Sequence, residues 1–204
     1  MKSITTLSWI LVMGKKYNII YADPPWRYNS RNNQSTKFGM GVHGHYPTMT
    51  LEEIKSLDVQ KLCASNAVLF LWVTFPRLQE GLEVIKAWGF KYKTLGFSWH
   101  KTNKDGSLFF GVGSYTKSNC EVCLLATSGK VGILKKDQLL PDLDEKLVVR
   151  SNYVSSAINS QREKHSKKPD QVRNRIVELF GDVPRIELFA RQKTEGWDTW
   201  GNEV

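Results

Sequence analysis

The residues with the clearest chemical potential are Asp23-Pro24-Pro25-Trp26, an acid, two prolines and an aromatic ring in a row. Each proline fixes its own φ and pushes the preceding residue toward extended backbone, so Asp23 and Pro24 are both restricted. We expect the Asp23 carboxylate and the Pro24 carbonyl to face one –NH2 group, with Trp26 as a flat surface for a flipped base. This arrangement suits methylation of an exocyclic amino group, which gains mainly from positioning and electrostatics. For an Asp-Pro pair alone, a surface acid in a Pro-rich turn would be the better interpretation.

The preceding residues predict how this corner is held. The run from Tyr17 to Ala22 is mostly apolar and too short for a helix, which indicates a buried strand. Neither proline has an N–H group, so the sheet ladder ends there. Asp23 is therefore expected at the carboxyl end of a strand, where open α/β sheets bind their ligands.

Four further stretches accompany this motif along the chain. They are Leu69 to Val73, Trp99 to Asn103, Ser166 to Asp170, and Ile186 to Arg191 followed by Trp197 and Gly201-Asn202. Together with Asp-Pro-Pro-Trp, and in this order, they resemble the MT-A-seventy-type adenine-N(6) methyltransferases. The resemblance implies S-adenosylmethionine as methyl donor, S-adenosylhomocysteine as product, and adenine in nucleic acid as substrate. It also implies a Rossmann-like α/β fold with permuted motif order.

The resemblance assigns roles to individual residues of this sequence. The expected catalytic residues are Asp23, Pro24, Pro25 and Trp26. The expected cofactor-binding residues are Asp23, Lys168, Glu187, Phe189, Arg191, Asn202 and Glu203, with Lys168 on the methionine carboxylate. The expected substrate-binding residues are Trp26, Tyr46, Lys101, Asn103, Tyr115 and Lys167. No metal is expected. The chain lacks a Gly-x-Gly loop after Phe189, and it has Lys193 and Thr194 where family members often have His-Asn.

Composition narrows the class of protein. The net charge of +9 favours an acidic partner, nucleic acid first. Basic residues form two groups, which are Lys91, Lys93, His100, Lys101 and Lys104, and Arg162, Lys164, Lys167, Lys168, Arg173 and Arg175. We expect phosphate contacts from them; solvated surface charge is the alternative.

The longest apolar run is far short of the ~18 residues of a membrane span. Cys120 and Cys123 lack a second ligand pair and are interpreted as strand residues. A reducing cytoplasm is expected.

The remaining chain predicts alternating strands and helices, and so a mostly parallel sheet with helices on both faces. Thr50 to Glu53 is a capping box that begins a helix. A second helix is expected from Pro76 to Gly89 with Leu78, Leu82, Ile85 and Trp88 buried, and a third from Pro169 to Gly181. Strands are predicted at Asn66 to Val73, Phe90 to Lys101, Glu121 to Thr127 and, last, Arg185 to Ala190.

We expect one methyltransferase domain over residues 1–204, with an N-terminal extension at 1–16. Residues 27–49 and 103–119 are interpreted as active-site loops, the first as a mobile lid. Residues 128–160 are interpreted as a variable region for target recognition or partner contact, or as an insertion with a short hairpin. DNA is the favoured substrate because a compact chain resembles the bacterial and phage enzymes. The alternatives are an enzyme that acts on RNA, a non-catalytic subunit that binds nucleic acid, and an enzyme that methylates cytosine or protein glutamine. The protein is expected to act alone or as a homo- or heterodimer.

Overall fold

The computed structural model describes residues 14–27, 48–111, 113, 115–151, 153–163 and 167–204. Within these ranges the strands are β1 (Tyr17–Ala22), β2 (Cys63–Val73), β3 (Lys91–Thr102), β4 (Cys120–Ser128), β5 (Val131–Ile133), β6 (Leu147–Val149), β7 (Ala157–Gln161), β8 (Arg185–Leu188) and β9 (Asp198–Trp200). The α-helices there are α1 (Leu51–Lys55), α2 (Leu78–Ala87) and α3 (Gln171–Phe180), with 3-10 turns at Val59–Leu62 and Phe75–Arg77. None of the described helices is long and apolar enough to cross a bilayer.

Seven strands form one sheet in the order β7-β3-β4-β2-β1-β8-β9. The pairs β1–β2, β1–β8, β8–β9 and β3–β7 are parallel, whereas β4 runs antiparallel to both β2 and β3. The predicted mostly parallel sheet is therefore confirmed, with β4 as its reversed strand. Because β4 runs backward, its amino end lies at the same edge as the carboxyl ends of β1 and β2.

Alternate residues of the central strands enter two separate cores, as the period of two in a strand requires. Ile20, Ala22 and Leu69 pack on one face with Ile54 of α1 and Val84 of α2. On the other face, side chains of the same strands pack against α3, and these are Ile19, Tyr21, Val68 and Phe70 against Val172, Ile176 and Phe180. Helices on both faces of the sheet, as predicted, are confirmed.

The helices follow local sequence signals with two exceptions. The capping box forms as predicted, because the Glu53 N–H donates to Thr50 Oγ1 at 3.2 Å and the Thr50 N–H donates to Glu53 Oε2 at 2.7 Å. Gly181 ends α3 with φ +78°. The prediction that Pro169 opens α3 is wrong by two residues, because a turn with a 3.1 Å bond from the Val172 N–H to the Pro169 carbonyl precedes the helix.

The second exception is Leu82, which was predicted to be buried and is 39% exposed. The buried face of α2 is centred on Gly81, Val84 and Ile85, one step around the helix. Gly81 sets this orientation, since a Cβ there would lie 2.5 Å from Val73 Cγ1 of β2. The prediction missed this because it used the three- and four-residue spacing of apolar residues, whereas the close approach of this helix to the sheet is decided by its smallest residue, Gly81.

Two predictions about the C-terminal half need correction. The strand predicted to end at Ala190 ends at Leu188, because Phe189 takes a left-handed conformation with φ 63°, and β9 follows as a further strand. In residues 128–160, β5 and β6 pair in parallel, so the hairpin alternative is wrong. The end of that region, β7, joins the main sheet beside β3.

Candidate active site

The Asp23-Pro24-Pro25-Trp26 corner directly follows β1 at the carboxyl edge of the sheet. The Trp26 N–H donates to the Pro24 carbonyl at 2.9 Å, which closes a three-residue turn centred on Pro25. The Pro25 carbonyl accepts from the Met49 N–H at 2.9 Å. These bonds fix the direction of the Pro24 carbonyl, and its second lone pair can still accept a hydrogen bond.

A chain of alternating charges starts at Asp23 and runs across the sheet edge. Asp23 Oδ2 lies 2.7 Å from Lys168 Nζ, and the same ammonium lies 3.3 Å from Glu121 Oε2. Glu121 Oε1 in turn lies 2.5 Å from Lys101 Nζ. Asp23 follows β1, Lys168 precedes α3, Glu121 lies at the start of β4 and Lys101 at the end of β3, so four separate segments meet here.

Burial and neighbouring charges set the protonation of this cluster. Burial acts to raise the pKa of Glu121, but Lys168 and Lys101 outweigh it and lower that pKa to about 2. Burial acts to lower the pKa of Lys168, but Asp23 and Glu121 outweigh it and hold that pKa above its ordinary value. Burial raises the pKa of Asp23, with the Lys168 and Arg191 charges acting against the rise. Lys168 is therefore a firmly charged, nearly buried cation between two carboxylates.

Hydrogen bonds among buried aromatic side chains support the corner. The Trp26 indole N–H donates to the Trp72 carbonyl at 3.1 Å, and the Trp72 indole N–H donates to the Tyr21 hydroxyl at 2.8 Å. Lys168 Nζ lies 5.5 Å from the centre of the Trp72 ring, within cation–π range. Trp26 itself is only 6% exposed, so the structure gives its ring a supporting role, and base stacking on it stays a prediction.

The predicted cofactor residues near the C-terminus lie in two adjacent segments. The Ala190 N–H donates to the Trp200 carbonyl at 2.9 Å, and the Phe189 ring meets Trp200 edge-on with centroids 5.4 Å apart. A Cβ at Gly201 would lie 2.2 Å from the Ala190 carbonyl oxygen, so only glycine permits this approach. Arg191 Nε lies 3.8 Å from Glu203 Oε1, which brings these two predicted residues together; Asn202 is exposed beside them.

Glu187 has a different environment from the other predicted cofactor residues. Its two carboxylate oxygens accept from the Arg173 guanidinium at 2.7 Å and 2.8 Å, and both side chains are buried. Burial raises the pKa of Glu187, while Arg173 acts against that rise. The pair fastens β8 to α3, so the structure shows a structural partner for Glu187, and its contact with the cofactor stays a prediction.

The predicted substrate residues are not gathered in one place. Lys101 belongs to the charge chain, whereas the Asn103 amide donates to Ser107 Oγ at 3.0 Å within its own turn. Lys167 pairs with Glu163 at 2.7 Å and with Asp170 at 2.8 Å, and Tyr115 is fully exposed. Tyr46 lies outside the described residues, as does most of the predicted lid.

The two predicted basic groups are partly neutralised within the protein. Lys101, Lys167, Lys168 and Arg173 all pair with carboxylates, and Arg175 donates to the Ser155 and Ala157 carbonyls at 2.6 Å and 2.7 Å. These five residues therefore have internal partners, and their contact with phosphate stays a prediction. Sequence spacing did not reveal the pairs Lys101–Glu121, Lys168–Asp23 and Arg173–Glu187, because their members are 20, 145 and 14 residues apart along the chain.

Glu121 is the member of the site that the sequence prediction missed. It was interpreted only as the first residue of a strand, and in a parallel strand that end would lie at the opposite edge from Asp23. The reversal of β4 brings it to Lys168 instead. The available signal was a carboxylate beginning an otherwise buried strand, which requires a charged partner. The adjacent Cys120 and Cys123 lie in β4 as strand residues, as predicted, and the described residues contain no cluster of three potential metal ligands.

Comparison with known proteins identifies the family. The MT-A70 family model matches residues 17–203. The Type II methyltransferase M.MunI of Mycoplasma sp is 32% identical over 203 residues, covering 93% of this chain and 78% of that protein. The N(6)-adenine-specific methyltransferase METTL4 of Mus musculus is 27% identical over 218 residues, covering 100% of this chain and 41% of METTL4.

A second eukaryotic relative extends the match. The N(6)-adenosine-methyltransferase catalytic subunit METTL3 of Homo sapiens is 25% identical over 201 residues, covering 96% of this chain and 29% of METTL3. The chain therefore spans less than half the length of these two eukaryotic relatives. Since the family match runs from β1 through the charge chain to the segment that contains Asn202, the chain belongs to the MT-A70 family of methyltransferases.

Proposed function

We propose that this protein transfers the methyl group of S-adenosylmethionine to the exocyclic amino group of adenine in nucleic acid, with DNA as the favoured substrate. The observation that carries the proposal is the 2.7 Å contact between Asp23 and Lys168 beside the Pro24 carbonyl, in a chain of the MT-A70 family. A single-domain enzyme in the cytoplasm remains our expectation.

The corner contributes positioning of the amino group. Asp23 Oδ and the Pro24 carbonyl accept the two N–H bonds of the adenine –NH2, which directs the nitrogen lone pair away from both acceptors. The turn closed between Pro24 and Trp26 holds the carbonyl in place before substrate arrives, so little reorganisation is needed. Adenine must leave a duplex, or come from a single strand, to reach such a corner.

The charged side chains near the corner fit S-adenosylmethionine. The nearly buried Lys168 ammonium complements a carboxylate such as that of the methionine part, and the Asp23 carboxylate complements a cationic donor. Phe189, Arg191, Asn202 and Glu203 lie in the adjoining segments and are proposed to contact its nucleoside part. When bound, this cofactor supplies an electrophilic methyl group on a sulfonium. Glu121 Oε2 contacts the same ammonium at 3.3 Å, which keeps Lys168 in place as ligands exchange.

The preference for DNA rests on the comparisons. M.MunI, which matches over 78% of its own length, is named a Type II methyltransferase, whereas METTL3, named for adenosine, matches over 29% of its length. Tritium transfer from labelled cofactor to duplex DNA and to RNA tests this preference directly. Label appearing only in RNA would overturn it, and mass analysis of the modified base distinguishes adenine from cytosine or protein glutamine.

The catalytic role of the corner is tested with Asp23→Ala. We expect a loss of about 100-fold or more in rate, as for removal of one key polar contact in a transition state, with the protein still folded by circular dichroism. Asp182→Ala is the matched control, because Asp182 also pairs with a basic side chain, Arg185, but lies on the exposed surface. Near-full activity of Asp23→Ala would show that the site is misplaced. Calorimetry with S-adenosylmethionine separates an enzyme from a non-catalytic subunit, which would show no binding.

A further inference from the structure

The connection between β5 and β6, residues 134–146, carries net charges of opposite sign in its two halves. Its first half has Lys135, Lys136 and Asp137, a net charge of +1, and its second half has Asp142, Asp144, Glu145 and Lys146, a net charge of −2; all of these except Lys146 are exposed. We call Lys135, Lys136, Asp144, Glu145 and the chain between them the bipolar segment. Its net charge is small, unlike that of the whole chain, so it does not have the character of a nucleic-acid surface.

The fold separates the two charged ends in space. β5 and β6 are parallel, with Val131 opposite Leu147 and Ile133 opposite Val149. The connection must therefore return from the carboxyl end of β5 to the amino end of β6, which places the lysines at one end and the acids at the other. The acidic end is anchored, since the Asn66 amide donates to the Leu143 carbonyl at 2.9 Å and the Asp144 carbonyl at 3.1 Å.

Apolar side chains lie exposed between these ends. Leu139 is 90% exposed and Leu140 is 52% exposed, and Ile133 at the end of β5 is also exposed. Contiguous exposed aliphatic groups bordered by charges are typical of contact surfaces. An arrangement of positive charge, apolar centre and negative charge is complementary to its own copy turned by 180°, because each lysine end then faces an acidic end.

We propose that the bipolar segment is the contact between two copies of this chain in a two-fold symmetric dimer. Leu139 and Leu140 lie at the centre of the contact, near the two-fold axis, and the lysines of each copy pair with Asp144 and Glu145 of the other. Asn66 lies near the amino end of β2, whereas Asp23 lies at the edge where β2 ends, so the dimer leaves the corner accessible. The proposal is independent of the methyl-transfer chemistry.

The oligomeric state of the full chain tests the proposal first. Sedimentation velocity between roughly 1 and 100 µM, the range of weak specific contacts, should show a mass that rises toward the dimer. Leu139→Ser with Leu140→Ser should remain monomeric and equally folded, because both side chains are already exposed. A wild-type protein that stays monomeric over this range would overturn the proposal.

Charge exchange tests the two-fold pairing itself. Lys135→Glu with Lys136→Glu places acid against acid in every contact, and Asp144→Lys with Glu145→Lys places base against base. Each variant alone should therefore dimerise at least tenfold more weakly, whereas an equimolar mixture of the two should form a heterodimer. Asp142 is left unchanged because its carboxylate accepts from the Asp144 N–H at 2.9 Å and forms the local turn.

A matched control places the same charge change elsewhere. Lys61 and Lys86 are exposed and belong to the part of the chain that covers the other face of the sheet, so Lys61→Glu with Lys86→Glu should leave dimerisation unchanged. If that control weakens the dimer equally, or if the mixed variants stay monomeric, the bipolar segment is not the contact. If reversal of the lysines weakens duplex DNA binding while the oligomeric state is unchanged, the segment contacts nucleic acid and the dimer proposal is wrong.

Discussion

Glu121→Gln gives the most quantitative test of the charge chain. The side chain is 15% exposed and its carboxylate contacts Lys168 and Lys101, which lower its pKa from 4.5 to about 2 against the opposing effect of burial. One unit of pKa corresponds to about 1.4 kcal/mol, so ionisation of Glu121 contributes about 3 kcal/mol to the free energy of unfolding at pH 7. Glutamine is nearly isosteric and removes only the charge, so the variant should lose about that much.

The pH dependence of the loss follows from the direction of the shift. A carboxyl group whose pKa is lower in the folded protein stabilises it above the unfolded value, here 4.5. That contribution decreases as pH falls from 4.5 through about 2. The difference between wild type and Glu121→Gln should therefore be constant from pH 7 to about 5 and become smaller at more acidic pH.

Urea denaturation followed by tryptophan fluorescence measures this difference at several pH values. Glu163→Gln is the control, because Glu163 forms a comparable 2.7 Å pair with Lys167 but its side chain is 54% exposed. An exposed pair of this kind contributes about 0–1 kcal/mol. The reasoning is refuted if Glu121→Gln loses no more than Glu163→Gln, or if its loss is the same at pH 3.5 as at pH 7.

Four further substitutions test other parts of the structure. Arg173→Met leaves Glu187 buried without its partner and should cost about 3–5 kcal/mol of unfolding free energy; a loss below about 1 kcal/mol would contradict the bidentate geometry. Thr50→Ala removes the cap of α1 and should cost about 1 kcal/mol, seen as a melting temperature lower by about 2–4 °C, and an unchanged melting temperature would argue against the capping box. Leu82→Gln should change stability by less than about 0.5 kcal/mol while Ile85→Ala costs about 2–5 kcal/mol, and equal losses would mean that α2 is rotated from its position here.

Features fixed by neighbouring residues were predictable from the sequence. The two prolines after a short apolar run were sufficient to predict the end of β1 and the position of Asp23. Thr50 and Gly181 marked helix ends because capping geometry depends on a few adjacent groups. The family motifs then indicated which corner of the sheet carries the chemistry.

Features that depend on the direction or rotation of an element were not predictable in this way. Strand direction has no local sequence signal, so the reversal of β4 and the contact of Glu121 with Lys168 could not be derived. The pairing of Arg173 with Glu187 joins α3 to β8 and appeared in the sequence only as surplus positive charge. The left-handed Phe189 was equally hidden, because the usual signal for that conformation is glycine.

The bonds around Met49 have a consequence for how this enzyme could diversify. The Arg27 N–H donates to the Met49 carbonyl at 3.1 Å and the Met49 N–H donates to the Pro25 carbonyl at 2.9 Å, so the backbone is held side by side at the two ends of the intervening segment. A peptide closed at its base can be lengthened or shortened for about 0.6 kcal/mol per doubling of its length. A change in the length of that segment should therefore leave the backbone bonds of the methyl-accepting corner in place.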